Sequence, residues 1–157
     1  PLRVIYTVDP LPTDRESVFW LNVLDIPPKP GGESANANVL QLAFRTRIKL
    51  FVRPARLEGS AEEAPGKLQW KLIDADDGRG KALKVTNPTP FHVSFSELAV
   101  EGGEQFFRNE AGGMVGPHGS TVFTMPRMHA VGSGATVRFT AISDFAAPLP
   151  GRAALEK

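Results

Sequence analysis

Turn-forming residues are spread through this chain so evenly that its apolar residues fall into short runs. Short runs bounded by Gly and Pro favour many strands over long helices. Fifteen glycines and fourteen prolines make up nearly a fifth of the 157 residues. They punctuate the apolar runs instead of gathering into a linker. No helix-length segment with a period of about 3.6 residues is present, and there is no internal repeat or low-complexity tract.

The runs themselves read as strands. Residues 2–7 (LRVIYT) are β-branched and aromatic, and Asp9-Pro10 ends them. Residues 18–26 form a second run, apolar on both faces. Phe19, Leu21 and Val23 lie on one face and Val18, Trp20, Leu24 and Ile26 on the other, which predicts cover on both sides. Residues 27–38 are a polar loop rich in turn formers. Residues 39–52 then alternate with period two. Leu40, Leu42, Phe44, Ile48 and Leu50 share one face, and Arg45, Arg47 and Lys49 share the other.

Further strands are predicted over 68–74, 82–86, 91–100, 105–108, 121–124 and 136–142. The turns Asn87-Pro88-Thr89-Pro90 and Gly116-Pro117-His118-Gly119 lie between them. Six strands at this spacing over residues 54–157 predict an all-β, immunoglobulin-like β-sandwich. Residues 1–53 supply only three strands. Either they join the downstream sheet, or the remainder of their own domain lies outside them.

Several function classes lose support. Net charge is +1, which gives no global attraction to nucleic acid or membrane. The basic stripe Arg45, Arg47, Lys49 and Arg53 has no interleaved stacking aromatics, so nucleic acid is not an expected partner. Cysteine is absent, which removes disulfides and thiolate chemistry. No apolar run reaches about 18 residues, so no membrane insertion is expected. The opening Pro-Leu-Arg has no signal-peptide pattern. His92, His118 and His129 lack metal-ligand spacing and a neighbouring nucleophile motif. Asp74, Asp76, Asp77 and Gly78 lack the spacing and distal Glu of a calcium loop. No enzyme, cofactor or metal is expected.

A more specific signal lies in two dense stretches. Asp14-Arg15-Glu16-Ser17, Trp20, Asn22 and Pro27 are followed by Ile48-Lys49-Leu50-Phe51 and Arg53-Pro54. Asn87-Pro88-Thr89-Pro90-Phe91 and Ile142-Ser143-Asp144-Phe145 come later. Together these resemble the periplasmic pilus-assembly chaperones, the PapD-like family. The resemblance covers essentially the whole chain but begins partway through the family's first domain. The chain is therefore expected to be N-terminally truncated relative to the family. Residues 1–53 would be the C-terminal part of a first, pilin-binding immunoglobulin-like domain, and residues 54–157 a second sandwich.

The resemblance implies a periplasmic protein of a Gram-negative bacterium. It would cap pilin subunits by donor-strand complementation and deliver them to an outer-membrane usher. An immunoglobulin-like adhesion or structural domain is the alternative. In the family, alternate side chains of the last strand of domain one fill the groove of a pilin. Here these correspond to Leu40, Leu42 and Phe44, with Ile48 further along. By their pattern alone these residues would fill the protein's own core. An exposed apolar edge would also favour self-association. Lys49 matches the lysine that anchors the pilin's C-terminal carboxylate; by pattern alone it is a solvated strand lysine. Glu16, Arg53 and Asp144 match a buried charge bridge between the family's domains; by pattern alone they are three unrelated surface charges.

Overall fold

The structure, a computed structural model, describes residues 3–7, 10–28, 40–75, 78 and 80–156. It divides into two compact units. One is Ser17–Val52; the other is Pro1–Glu16 together with Arg53–Lys157.

The smaller unit is an antiparallel hairpin of β1 (Ser17–Asp25) and β2 (Phe44–Val52), paired from Ser17↔Val52 to Asp25↔Phe44. Pro27-Pro28 stops β1, because proline has no N–H to give to a ladder. The sequence predicts a third strand over 39–52, but the ladder starts only at Phe44. Residues 40–43 have no part of β1 opposite them, and Val39 lies outside the described residues. The Gln41 side-chain amide instead donates to the carbonyls of Pro27 and Pro28, at 2.9 and 3.0 Å.

The predicted two-sided cover of the second strand is not found within this unit. Trp20, Val23, Leu24 and Ile26 are exposed, because a two-stranded sheet offers no second layer. Of the strand predicted over 2–7, Leu2 lies outside the described residues and the rest forms no strand. Arg3–Thr7 adopt no regular structure, and Val4, Ile5 and Tyr6 are exposed. β-branched side chains favour a strand only where packing against neighbours rewards it.

The larger unit is an immunoglobulin-like sandwich. One sheet orders β3 (Gln69–Asp74), β4 (Lys81–Asn87) and β8 (Gly119–Thr124). The other orders β10 (Pro148–Ala154), β9 (Thr136–Ile142), β5 (Val93–Gly102) and β6 (Gln105–Asn109), with β7 (Gly113–Val115) also paired to β5. A short 3₁₀ turn, Ala64–Lys67, precedes β3.

Period-two alternation sends Leu83 and Val85 of β4, and Val137, Phe139 and Ala141 of β9, into one core. In β5 the parity switches. Val93 and Phe95 face the core, a bulge intervenes between Phe95 and Glu97, and Leu98 and Val100 continue it. Trp70 stacks on Phe139 at 5.3 Å and meets Phe95 edge-on at 5.6 Å, which ties the two sheets together.

Two strands escape the sequence reading. Gly112-Gly113 reads as loop, yet Gly113 opens β7. Pro148 and Pro150 argue against β10, but β10 is an edge strand, where proline is tolerated.

Candidate functional site

The hairpin carries the first group of candidate residues. Along β2 the side chains alternate as the sequence predicts. Arg45, Arg47 and Lys49 lie on one face; Phe44, Thr46, Ile48 and Leu50 lie on the other. Leu40, Leu42, Phe44 and Ile48 are 82%, 52%, 62% and 51% exposed, so none fills the core of this unit. Both β1 and β2 are edge strands of a two-stranded sheet. An edge strand bearing an exposed apolar row is a template for another strand.

Lys49 stands opposite Trp20 in the register and is half-buried. That partial burial holds its ammonium below the usual lysine pKa. Its Nζ lies 5.5 Å from the Trp20 ring centroid, and the Arg47 guanidinium carbon lies 3.9 Å from the same centroid.

The second group belongs to the larger unit and centres on Glu16, which is only 3% exposed. Backbone geometry fixes it there. The Glu16 N–H donates to the Pro90 carbonyl at 2.9 Å. Pro90 lies in a turn held by the fully buried Asn87, whose side-chain nitrogen donates to the carbonyls of Phe91 and Gly116 at 2.7 and 3.0 Å. The Asn87 Oδ1 in turn accepts from the Thr89 N–H at 3.0 Å and the Thr89 hydroxyl at 2.7 Å.

Arg53 leaves the end of β2 and donates from Nε to Glu16 Oε1 at 2.9 Å. It donates from Nη1 to Asp144 Oδ2 at 2.8 Å and from Nη2 to Asp144 Oδ1 at 3.2 Å. Asp144 sits in the β9–β10 turn, where the Ser143 hydroxyl accepts the N–H groups of Phe145 and Ala147 at 3.3 and 3.1 Å. The other Glu16 oxygen takes the His92 N–H at 2.8 Å and faces His92 Nδ1 at 2.9 Å.

Burial pushes the Glu16 carboxyl up, but the hydrogen bonds from His92 and Arg53 outweigh it and hold the group below the usual glutamate range. The hydrogen bond to Asp144, with those to Glu16, raises Arg53 above the usual arginine value. Glu16, Arg53 and Asp144 are thus brought together, and of the three only Glu16 is buried. Arg53 and Asp144 side chains are 35% and 44% exposed.

Residues 1–58 match the family described as pili and flagellar-assembly chaperone, PapD N-terminal domain. Residues 63–152 match the pili assembly chaperone PapD, C-terminal domain. This chain belongs to the PapD-like family of pilus-assembly chaperones.

Among PapD-like relatives, the chain is 45% identical over 157 residues to the probable fimbrial chaperone YadV of Escherichia coli, covering 98% of this chain and 62% of the relative. It is 40% identical to the chaperone protein FimB/FhaD of Bordetella pertussis, covering 98% of this chain and 60% of the relative. The crystal structure of the YadV chaperone superposes with a TM-score of 0.76 at 42% identity, over 92% of this chain and 65% of that one. The SafB chaperone, solved with the Salmonella enterica SafA pilin, gives 0.70 at 28% identity, over 95% of this chain and 64% of that one. The chain spans about three fifths of the length of the curated relatives it matches.

Within the PapD-like frame, two features escape the sequence reading. His92 reads only as lacking metal-ligand spacing, and its role as a direct partner of Glu16 was not foreseen. Its position immediately after the Asn87–Phe91 turn was the available signal. The contact of Arg47 with Trp20 was hidden because it depends on β1–β2 register. His118 lies in its expected turn with φ of 49°, and Asp74 pairs with Lys81 at 2.6 Å. Asp76 and Asp77 lie outside the described residues. No group of His, Cys, Asp and Glu suited to a metal occurs among the described residues. No helix among them is long and apolar enough to cross a membrane.

Proposed function

We propose that this chain acts in pilus assembly as the strand-lending part of a periplasmic chaperone. Residues 1–53 belong to its pilin-binding domain and residues 54–157 to its second sandwich. The observation that carries this reading is the exposed row Leu40, Leu42, Phe44 and Ile48, on a segment that continues to the half-buried Lys49. The relatives' descriptions as fimbrial chaperones, and the SafB chaperone's complex with a pilin, support it.

The mechanism is strand addition. A pilin missing its final strand exposes a groove with two open edges. The 40–52 segment enters that groove, the backbone edge of β2 that β1 leaves free pairs with a groove edge, and its alternate apolar side chains fill the pockets. Lys49 receives the subunit's C-terminal carboxylate, which sets the register. A one-residue slip would turn every apolar side chain away from the groove. Glu16, Arg53 and Asp144 brace the junction between the two domains. The capped subunit is kept from premature polymerisation and passed to an outer-membrane usher. No bond is made or broken in the subunit. Without a subunit, the same apolar edge favours self-association.

Leu42→Glu tests this reading, because Leu42 is exposed and the variant is expected to fold like the parent. Co-expression with a pilin subunit should recover a complex with the parent chain and none with the variant. Equal recovery of the pilin by both chains would overturn strand lending.

A further inference from the structure

One side of the sandwich is closed by a pair of residues that belong to neither sheet. β10 lies in the five-stranded sheet and β3 in the three-stranded one, and no ladder among the described residues joins them. β10 ends at Ala154, opposite Thr136 of β9. The core-facing alternation of Leu149 and Ala153 runs on past that point to Leu155, which is half-buried against the core. This carries Glu156 across to β3. Its N–H donates to the Trp70 carbonyl at 2.7 Å, and it pairs with Lys71 as an isolated parallel bridge.

β3 has β4 on one side. On the other side, that bridge is its only pairing among the described residues. An uncovered strand edge is a template for another strand. β10, the neighbouring edge, carries Pro148 and Pro150, which cannot donate to an added strand. β3 has no proline, and its register with β4 runs without a bulge from Gln69↔Thr86 to Asp74↔Lys81.

We propose that residues 155–156 are a strap over the β3 edge, and that releasing it lets a second copy of this chain pair there, β3 against β3. The edge is complementary to itself. Two β3 strands paired antiparallel about Leu72 set each Lys71 opposite the other's Ile73, so no like charges meet. Trp70 and Leu72 of both copies then stay on the core side. The 40–52 segment suits this edge less well. With its apolar row on the core side, Arg45, Arg47 and Lys49 would extend the face on which Lys71 and Lys84 already stand opposite each other. The strap is lightly held, because one backbone hydrogen bond shifts an opening equilibrium by only about two- to tenfold.

Glu156→Pro tests the strap in the full chain, because it deletes the N–H that Trp70 accepts. Glu156→Ala keeps that N–H and serves as the control. Hydrogen–deuterium exchange reads the edge, and light scattering after size exclusion reads the association state. In Glu156→Pro, the β3 amides not paired with β4 should exchange about two- to tenfold faster, with the β5–β9 ladder unchanged. The dimer fraction should rise at equal concentration, and Glu156→Ala should match the parent in both respects. The same rise should appear in the Leu42→Glu background, where association through the apolar row is blocked.

Circular dichroism establishes folding; if Glu156→Pro does not fold, Leu155→Ser, which loosens the strap's hold on the core, takes its place. Parent-like exchange in the folded variant would overturn the strap. Faster exchange with no gain in dimer would overturn the pairing of a second copy at β3. A gain that vanishes in the Leu42→Glu background would assign the association to the apolar row and overturn that pairing as well.

Discussion

One carboxylate oxygen of Glu16 accepts the backbone N–H of His92 at 2.8 Å and faces the Nδ1 of the same residue at 2.9 Å. An ionised carboxylate only accepts hydrogen bonds, so His92 Nδ1 carries a proton in this contact. The other oxygen is held by Arg53. A carboxylate removed from water is stable only when its lone pairs are answered in this way. Glu16→Ala leaves Arg53 without its buried partner and opens a small void. The expected loss is about 2–3 kcal/mol by urea denaturation, because the stranded Arg53 is part-exposed. A loss below about 1 kcal/mol would mean that the network contributes little.

The same group makes stability depend on pH. The folded-state pKa of Glu16 is depressed, so its contribution is present above the unfolded value, about 4.3, and is lost as pH falls through the folded value. Glu16→Gln cannot titrate at this position. The gap in unfolding free energy between parent and variant should be widest at pH 7, and it should narrow as pH drops below about 4. A gap that stays constant between pH 7 and pH 3 would contradict this linkage.

Arg53 touches both acids, but the two contacts differ in weight. The Asp144 side chain is largely in solvent, where ion pairs contribute about 0–1 kcal/mol. Asp144→Ala should therefore cost less than about 1 kcal/mol. Arg53→Ala strands the buried Glu16 and should cost about 2–3 kcal/mol. The figure falls below that for a fully buried pair because Arg53 is itself part-exposed. Equal effects of the two substitutions in thermal melts would reverse this ranking.

Much of this was legible in the residues, and the failures share a cause. Strand signals at 136–142 and 105–108 located β9 and β6, and in β9 the alternating pattern follows the burial of one face. Pattern alone placed Leu40, Leu42 and Phe44 in a core, and the resemblance turned them outward; in this structure they are exposed. Alternation reports that a strand has two unlike faces, and not which face meets its own protein. The strand expected over 2–7 failed because β propensity needs a packing neighbour. β10 was hidden by prolines that only an edge strand accepts. His92 and Arg47 were missed because their partners lie far along the chain, 76 residues away for His92. Charge type and spacing do not encode such distances.

Core packing gives an independent check on the sandwich. Gly151 pairs with Phe139 across the β9–β10 ladder, and the Phe139 ring occupies the space that a Cβ on Gly151 would need. Phe139 is also stacked on Trp70. Gly151→Ala should force that ring to move, at a cost of about 1–3 kcal/mol. Gly66→Ala, which meets open space, should stay within about 0.5 kcal/mol of the parent. Comparable melting temperatures for the two variants would contradict the packing described.

Strand lending is tested most directly by hydrogen–deuterium exchange, with and without an isolated pilin subunit that lacks its final strand. Pairing along the groove predicts new protection concentrated in the amides of residues 40–52, with the β3–β10 sandwich unchanged. Protection confined to the sandwich, or complex formation that leaves residues 40–52 exchanging as in the free chain, would contradict it.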